Sequence, residues 1–244
     1  MGEPADGVDS PVTPRLVTVA HGTRKTPANA VAVRTTALAA QRMGIGAVTA
    51  YVELSTPLLG DVLAATAQPT VVLPMLLSTG YHLRHDLPRA LEASAGPALL
   101  GRSLGPHALL ARAQVSRLRE AGAVPGSPLV MVAAGSSDEL ATRDLERAAQ
   151  LLAHAWGASV RVATLSGRGE RPEDVVRRGD CVSRYLLAGG FFADRLTRVA
   201  RDAGAHAVAE VIGSHPDVVE LVCRRTRALL AARVPGSERP VLAG

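Results

Sequence analysis

Aromatic residues are scarce in this sequence: three tyrosines, two phenylalanines and one tryptophan, 2% of 244 residues. Surfaces that bind single-stranded nucleic acid stack bases on aromatic rings, so this shortage argues against such a role. Two cysteines, Cys181 and Cys223, are too few for a disulfide framework or a zinc cluster. Cys181 opens an apolar strand pattern, and Cys223 lies on the stripe Val219, Val222, Cys223, Thr226 and Leu230. Both are expected as buried structural thiols. No apolar run approaches the length of a membrane span, and polar residues 1–14 lack the apolar stretch of a signal peptide. A GxxxxGK[ST] phosphate loop is also missing. These absences point to a cytoplasmic protein with neither a membrane nor a nucleic-acid partner.

What the chain does have is 47% hydrophobic residues, enough to fill a core, and a net charge of +5 carried almost entirely by arginine. Guanidinium forks match carboxylates and phosphates, which favours an anionic ligand.

The organising stretch is Leu16-Val-Thr-Val-Ala-His21-Gly22-Thr23. Its apolar and β-branched run reads as a strand buried on both faces, over residues 15–20. A helix is expected over 28–43, a strand over 47–53 and a short helix over 58–67. A strand over 70–77 comes next, then Gly80-Tyr81-His82. Asp86 is read as the N-cap of a helix with Pro88 in its first turn. A weak strand over 98–102 precedes a helix that places Ala111, Val115 and Leu118 on one face. The segment 122–128, rich in glycine and proline, reads as a linker. Then the pattern repeats. Leu129-Val-Met-Val-Ala-Ala134-Gly135-Ser136 matches the opening stretch position for position, and a helix over 138–156 and a strand over 159–164 follow. Later, Gly190-Phe191-Phe192 matches Gly80-Tyr81-His82, and Ile212-Gly213-Ser214-His215 matches Leu104-Gly105-Pro106-His107.

Helices alternating with strands are the crossovers that parallel strands require. The expected fold is α/β: two tandem subdomains, each a four-stranded mostly parallel sheet flanked by helices, with a cleft between them. The first subdomain spans 15–121 and the second 129–233, with a disordered leader over 1–14 and a loose tail over 234–244. Both halves lie in one chain, so a monomer is expected.

The repeat allows the halves to be compared. Both keep the apolar strands, Gly22 with Gly135, Gly80 with Gly190, and Asp86 with Asp194. The second half lacks the polar chemistry: Ala134 stands for His21, Phe192 for His82, and Glu53 falls against Thr164-Leu165, where no carboxylate stands. Two imidazoles and a carboxylate at neighbouring strand ends make a site for a borderline divalent metal. Imidazole is available for this at neutral pH because its ordinary pKa is near 6.5. His85, three residues after His82, is a surface histidine or a neighbour of the ligands. His107 and His215 occur in both halves just before a helix, which favours a structural role, and His154 and His206 have no companions.

These residues resemble the CbiX/SirB family of small class II chelatases. The resemblance rests on Ala20-His21-Gly22-Thr23, Val52-Glu53-Leu54 with Pro57, and Leu73-Pro74-Met75-Leu76-Leu77. It continues through Gly80-Tyr81-His82, Asp86-Leu87-Pro88 and Leu104-Gly105-Pro106-His107, covering residues 15 to about 120. The second half looks like the degenerate repeat of the long, two-domain members. The resemblance implies insertion of Fe2+ into sirohydrochlorin for sirohaem, with Co2+ for cobalamin, or nickel, as the alternative. The metal is then a substrate, and no tightly bound cofactor, ATP or helper subunit is needed. His21, His82 and Glu53 are implied to bind the incoming metal, with His21 also accepting a pyrrole proton. Sirohydrochlorin is a polycarboxylate, and Arg24, Lys25, Arg84 and Arg89 lie beside the ligand loops as candidates to hold it. A tetrapyrrole or metal carrier without turnover is the competing reading.

Overall fold

The computed structural model describes residues 13–80 and 82–232, with the side chains of Thr26 and His82 outside that description. The expected tail, Tyr81 and all of the expected leader except Thr13 and Pro14 lie outside the described residues.

Two parallel sheets form, as the alternating pattern predicts. In the first, β1 (Arg15–Ala20) lies between β2 (Ala47–Tyr51) and β3 (Thr70–Pro74), with β4 (Ala98–Leu100) at the edge. In the second, β5 (Leu129–Ala133) lies between β6 (Val160–Thr164) and β7 (Cys181–Tyr185), with β8 (Ala207–Val208) outermost. The registers match the repeat: Leu16 pairs with Ala47 and Val71, and Leu129 pairs with Val160 and Cys181. The chain moves from β1 to one side and then returns to the other. A crevice therefore opens at the carboxyl ends of β1 and β3, the place where open α/β sheets bind ligands.

Some expected elements are shorter than the residue pattern suggested. The second strand ends at Tyr51 rather than Glu53, and the third at Pro74 rather than Leu77. The ladder hydrogen bonds nevertheless run on past β2, with Val52 N–H donating to Ala20 O at 2.9 Å and Glu53 N–H to His21 O at 3.1 Å. Asp86 is not an N-cap. Its backbone is already right-handed helical (φ −74°, ψ −42°), and its side chain makes no capping bond. A capping residue needs extended backbone, and here a π turn, His82–Asp86, leads directly into the next helix.

The halves are joined by an exchange of helices. The helix closing the first half, α4 (Ala108–Glu120), packs against β7 and against α5 (Glu139–Trp156) of the second half. The helix closing the second half, α8 (Pro216–Ala231), packs against β3 and against α1 (Thr26–Met43) of the first. Arg117 of α4 donates to Ile212 O at 3.3 Å, and its repeat counterpart Arg225 of α8 donates to Leu104 O at 3.0 Å. The exchange merges the inner faces of both sheets into one apolar cluster, in which Leu16, Leu73, Leu129, Met131, Leu118 and Val222 are all buried. Removing a side chain of this kind to alanine costs roughly 2–5 kcal/mol. Cys181 and Cys223 lie in the same cluster, and burial pushes both thiols above their ordinary pKa. They are structural, as the sequence pattern predicts. The outer faces have separate clusters, with Val17, Val19, Val72 and Leu87 on the first sheet and Val130, Val132, Val182 and Leu196 on the second.

His107 and His215 each cap a helix. Their Nδ1 atoms accept from Leu109 N–H at 3.1 Å and Asp217 N–H at 3.2 Å, satisfying donors that the first helical turn leaves open. Burial lowers the pKa of both imidazoles; Arg225 and Arg224 add to this at His107, while Asp217 partly opposes it at His215. The neutral form, which alone can accept the bond, is thereby favoured.

Candidate functional site

His21 is the first residue after β1, and Glu53 lies two residues beyond β2. The backbone bond from Glu53 N–H to His21 O sets the two residues side by side. His21 Nε2 lies 3.5 Å from Glu53 Oε1, with both side chains about half exposed. Gly22 makes this approach possible. It sits at φ 95°, and a Cβ there would collide with the Glu53 carbonyl oxygen, so only glycine fits. The next residue, Leu54, is at φ 60°, the one positive φ outside glycine among the described residues. Left-handed backbone costs a leucine roughly 1–2 kcal/mol, and such strain collects at functional sites.

Asn29 was missed by sequence reasoning. Its side-chain N–H donates to Thr23 O at 2.8 Å and to Ser55 Oγ at 3.0 Å, tying the loop after His21 to the loop after Glu53. Comparing the halves could have found it, because the repeat position carries Thr142.

His82 begins the π turn that follows β3. Its backbone thus leaves the strand next to the one that delivers His21, and its side chain is outside the described residues. Among the described residues no three histidine, cysteine, aspartate or glutamate side chains gather as a metal-holding group. His85 is exposed on the same π turn. Beside Glu53 lies a cavity of about 380 Å³ lined by Val52, Glu53, Asp86, Arg89 and Ala90. Arg89 is thus brought to the site, and Asp86 joins it as a second carboxylate rather than as a helix cap.

The other candidate cations reach across to the second half. Lys25 Nζ lies 2.9 Å from Asp194 Oδ2, and Arg84 Nη1 lies 3.6 Å from Asp138 Oδ2. The Lys25 hydrogen bond holds the Asp194 carboxyl below its ordinary pKa. Thr79 N–H also donates to Asp144 Oδ2 at 2.6 Å. Asp138 caps α5 and Asp194 lies in the first turn of α7 (Phe191–Asp202), so the carboxyl edges of the two sheets face each other. Arg24 is exposed on the loop after His21.

In the second half the corresponding positions are occupied differently. A Cβ at Gly135 would collide with Ser166 O, just as one at Gly22 would with Glu53 O, which makes Ser166 the counterpart of Glu53. Sequence alone sets Thr164-Leu165 against Glu53, and the folded chain shifts the match to Ser166. The contrast stands, because no carboxylate occupies that position either. Ser166 Oγ donates to Ala134 O at 2.7 Å. Ala134 and Phe192 both pack against the outer apolar cluster of that sheet.

A doubled open α/β sheet with a histidine–glutamate pair at one strand edge, and apolar packing at its copy, defines an asymmetric two-subdomain protein. Residues 15–121 match the model of the CbiX family. The sirohydrochlorin ferrochelatase of Priestia megaterium is 25% identical over 207 residues, covering 75% of this chain and 77% of that protein. Its counterpart in Bacillus subtilis (strain 168) is 27% identical over 179 residues, covering 66% and 68%. The solved structure of SirB from Bacillus subtilis with Fe3+ superposes with a TM-score of 0.78 at 22% identity, covering 89% of this chain and 96% of that one. A SirB structure in complex with cobalt gives a TM-score of 0.74. The chain is thus similar to the CbiX family over residues 15–121, and to the two sirohydrochlorin ferrochelatases over most of its length.

Proposed function

We propose that this chain is a sirohydrochlorin ferrochelatase: a cytoplasmic, monomeric, ATP-independent lyase that inserts Fe2+ into sirohydrochlorin at one site, in its first half. The observation that carries the reading is the His21–Glu53 pair, 3.5 Å apart in the half that matches the family and replaced by Ala134 and Ser166 in the other. The curated relatives are named for this reaction, and the SirB structures hold iron and cobalt.

Fe2+ enters as a substrate and is held by His21, Glu53 and His82, a donor set of imidazole and carboxylate suited to borderline divalent metals. Lys25 is engaged with Asp194 of the second half in an exposed ion pair, and Arg84 with the less exposed Asp138 in a looser one. Such pairs are worth only about 0–1 kcal/mol. Carboxylates of an incoming sirohydrochlorin can displace those aspartates and turn the cations toward substrate, with Arg89 and Arg24 adding positive field. Insertion releases two pyrrole protons. As the metal passes to the macrocycle, His21 Nε2 regains its lone pair and accepts one of them as a general base. Glu53, beside that nitrogen, stabilises the imidazolium, and the second proton leaves to solvent through the exposed side of the pair. Holding metal and macrocycle face to face supplies proximity, worth up to roughly 7–11 kcal/mol.

The test is the visible spectrum of sirohydrochlorin mixed with Fe2+ or Co2+ and catalytic amounts of protein. Multiple turnovers with Fe2+ support the reading, and a higher kcat/KM with Co2+ would transfer it to the cobalt reaction. Stoichiometric binding without turnover with either metal would make the protein a carrier and overturn it.

A further inference from the structure

The sequence contains two phenylalanines, and they are adjacent at the N-terminus of α7. Phe192 packs against the apolar cluster of the second sheet. Phe191 does not: it is 65% exposed, its ring centroid 5.9 Å from that of Phe192 and tilted by 57°. An exposed phenylalanine in a chain with so few aromatics calls for a reason, since exposure removes its contribution to the core.

Its position supplies one. Residues three and four apart share a helix face, so Phe191 lies on the same side of α7 as Asp194 and Arg195, with Arg198 one turn further on. Asp194 reaches Lys25 in the loop that follows His21. The opposite side of α7 is buried against its own sheet through Ala193, Leu196 and Ala200. Phe191 is therefore turned toward the first half, on the wall of the cleft that faces the His21 loop. Arg198 is exposed on the same stripe and close enough to Asp194 to help lower its pKa. On the first-half wall, Leu54 is exposed as well, directly after Glu53.

We infer that Phe191 is a substrate-contact residue, an aromatic platform on which one face of the tetrapyrrole ring rests while the His21–Glu53 side presents the metal to the other face. This inference rests on the chelatase reading above. A tetrapyrrole has a flat π surface and an anionic rim. An exposed ring beside the cations Lys25 and Arg198 complements both parts, while Arg195 is held by Glu173 at 2.8 Å within its own half. The half without metal ligands then has a function of its own: it binds and orients the macrocycle.

The experiment compares wild type with Phe191→Ala, Phe191→Trp and Phe192→Leu, measuring binding of metal-free sirohydrochlorin by its visible spectrum and steady-state turnover with Fe2+. Phe191→Ala should weaken macrocycle binding and raise KM by about 5- to 20-fold. Its kcat should change much less, and its thermal stability should hold, because the ring is mostly exposed. Phe191→Trp should bind at least as well as wild type, with its indole emission quenched by the macrocycle. Phe192→Leu should leave KM within about twofold of wild type. Unchanged macrocycle affinity in Phe191→Ala, with active wild-type protein, would overturn this inference alone. Wild-type protein that neither binds nor metallates sirohydrochlorin would overturn the chelatase reading and this inference with it.

Discussion

The turn after β2 and the turn after β6 have the same backbone shape and opposite chemistry. Against each leans a glycine at positive φ from the turn after the neighbouring strand, Gly22 on the Glu53 carbonyl and Gly135 on the Ser166 carbonyl. Each then enters the left-handed region at the matching position, Leu54 at φ 60° and Gly167 at φ 64°. The second half uses glycine there, which adopts that conformation freely. The first half puts a leucine there and bears the strain beside its glutamate. The side chains follow the same division. Glu53 reaches out to the His21 ring, while Ser166 closes back on the Ala134 carbonyl and Phe192 sinks into its own cluster. The fold persists without the site, so the polar residues of the first half are not what holds the sheet together.

The strongest way to break this comparison is to remove an imidazole. His21→Ala should lower kcat/KM by at least about 100-fold, as expected for loss of a general base. Its unfolding midpoint should stay near that of wild type, because the side chain is about half exposed. Wild-type rates in this variant would detach the reaction from the strand end.

The paired glycines sharpen the contrast. Gly22→Ala and Gly135→Ala should each cost at least about 2 kcal/mol in urea unfolding, from positive φ and a collision with a carbonyl. Only Gly22→Ala should also abolish turnover, since it pushes Glu53 away from His21. Equal activity losses in the two variants would mean that the halves share the chemistry.

The helix caps should behave alike in both halves. His107→Ala and His215→Ala should each destabilise by about 0.5–2 kcal/mol and leave most turnover intact. Both imidazoles have lowered pKa values in the folded protein. In the window below the ordinary histidine pKa of about 6.5, the unfolded chain therefore binds more protons than the folded one. Stability is full above that value and falls as pH drops through it toward the folded pKa. Urea titrations at successive pH values should show this slope in wild type and a shallower one when both histidines are replaced. The smallest effect is expected at Leu54. Leu54→Gly should change stability by no more than about 1 kcal/mol, as relief of strain offsets loss of a half-exposed side chain. Gly167→Leu, which would crowd the Ser136 backbone, should destabilise more in the same assay.

Much of this molecule follows from sequence alone, because its code is local and repeated. The buried strands from Leu16 and Leu129 declare themselves by apolar runs, and parallel pairing follows from the helices between them. The asymmetry of the candidate site is legible because the chain carries its own comparison: His21 against Ala134 and His82 against Phe192 need no coordinates. The boundaries of β2 and β3, the π turn at His82–Asp86 and the backbone of Asp86 were not legible. They depend on where ladders end and how the chain turns, and residue type sets neither. Asn29 escaped because its partners, Thr23 and Ser55, meet only once the loops are folded together.

What tertiary structure alone decided is how the halves combine. Periodicity shows that α4 and α8 each have an apolar face, and no pattern says which sheet that face will cover. The exchange, with Arg117 gripping Ile212 O and Arg225 gripping Leu104 O, is a choice among long-range contacts. The same holds for Lys25 with Asp194 and Arg84 with Asp138, which lie 169 and 54 residues apart in the chain. The hydrophobic effect is non-directional, so sequence determines that these faces are buried. Shape and charge complementarity between distant segments determine against what.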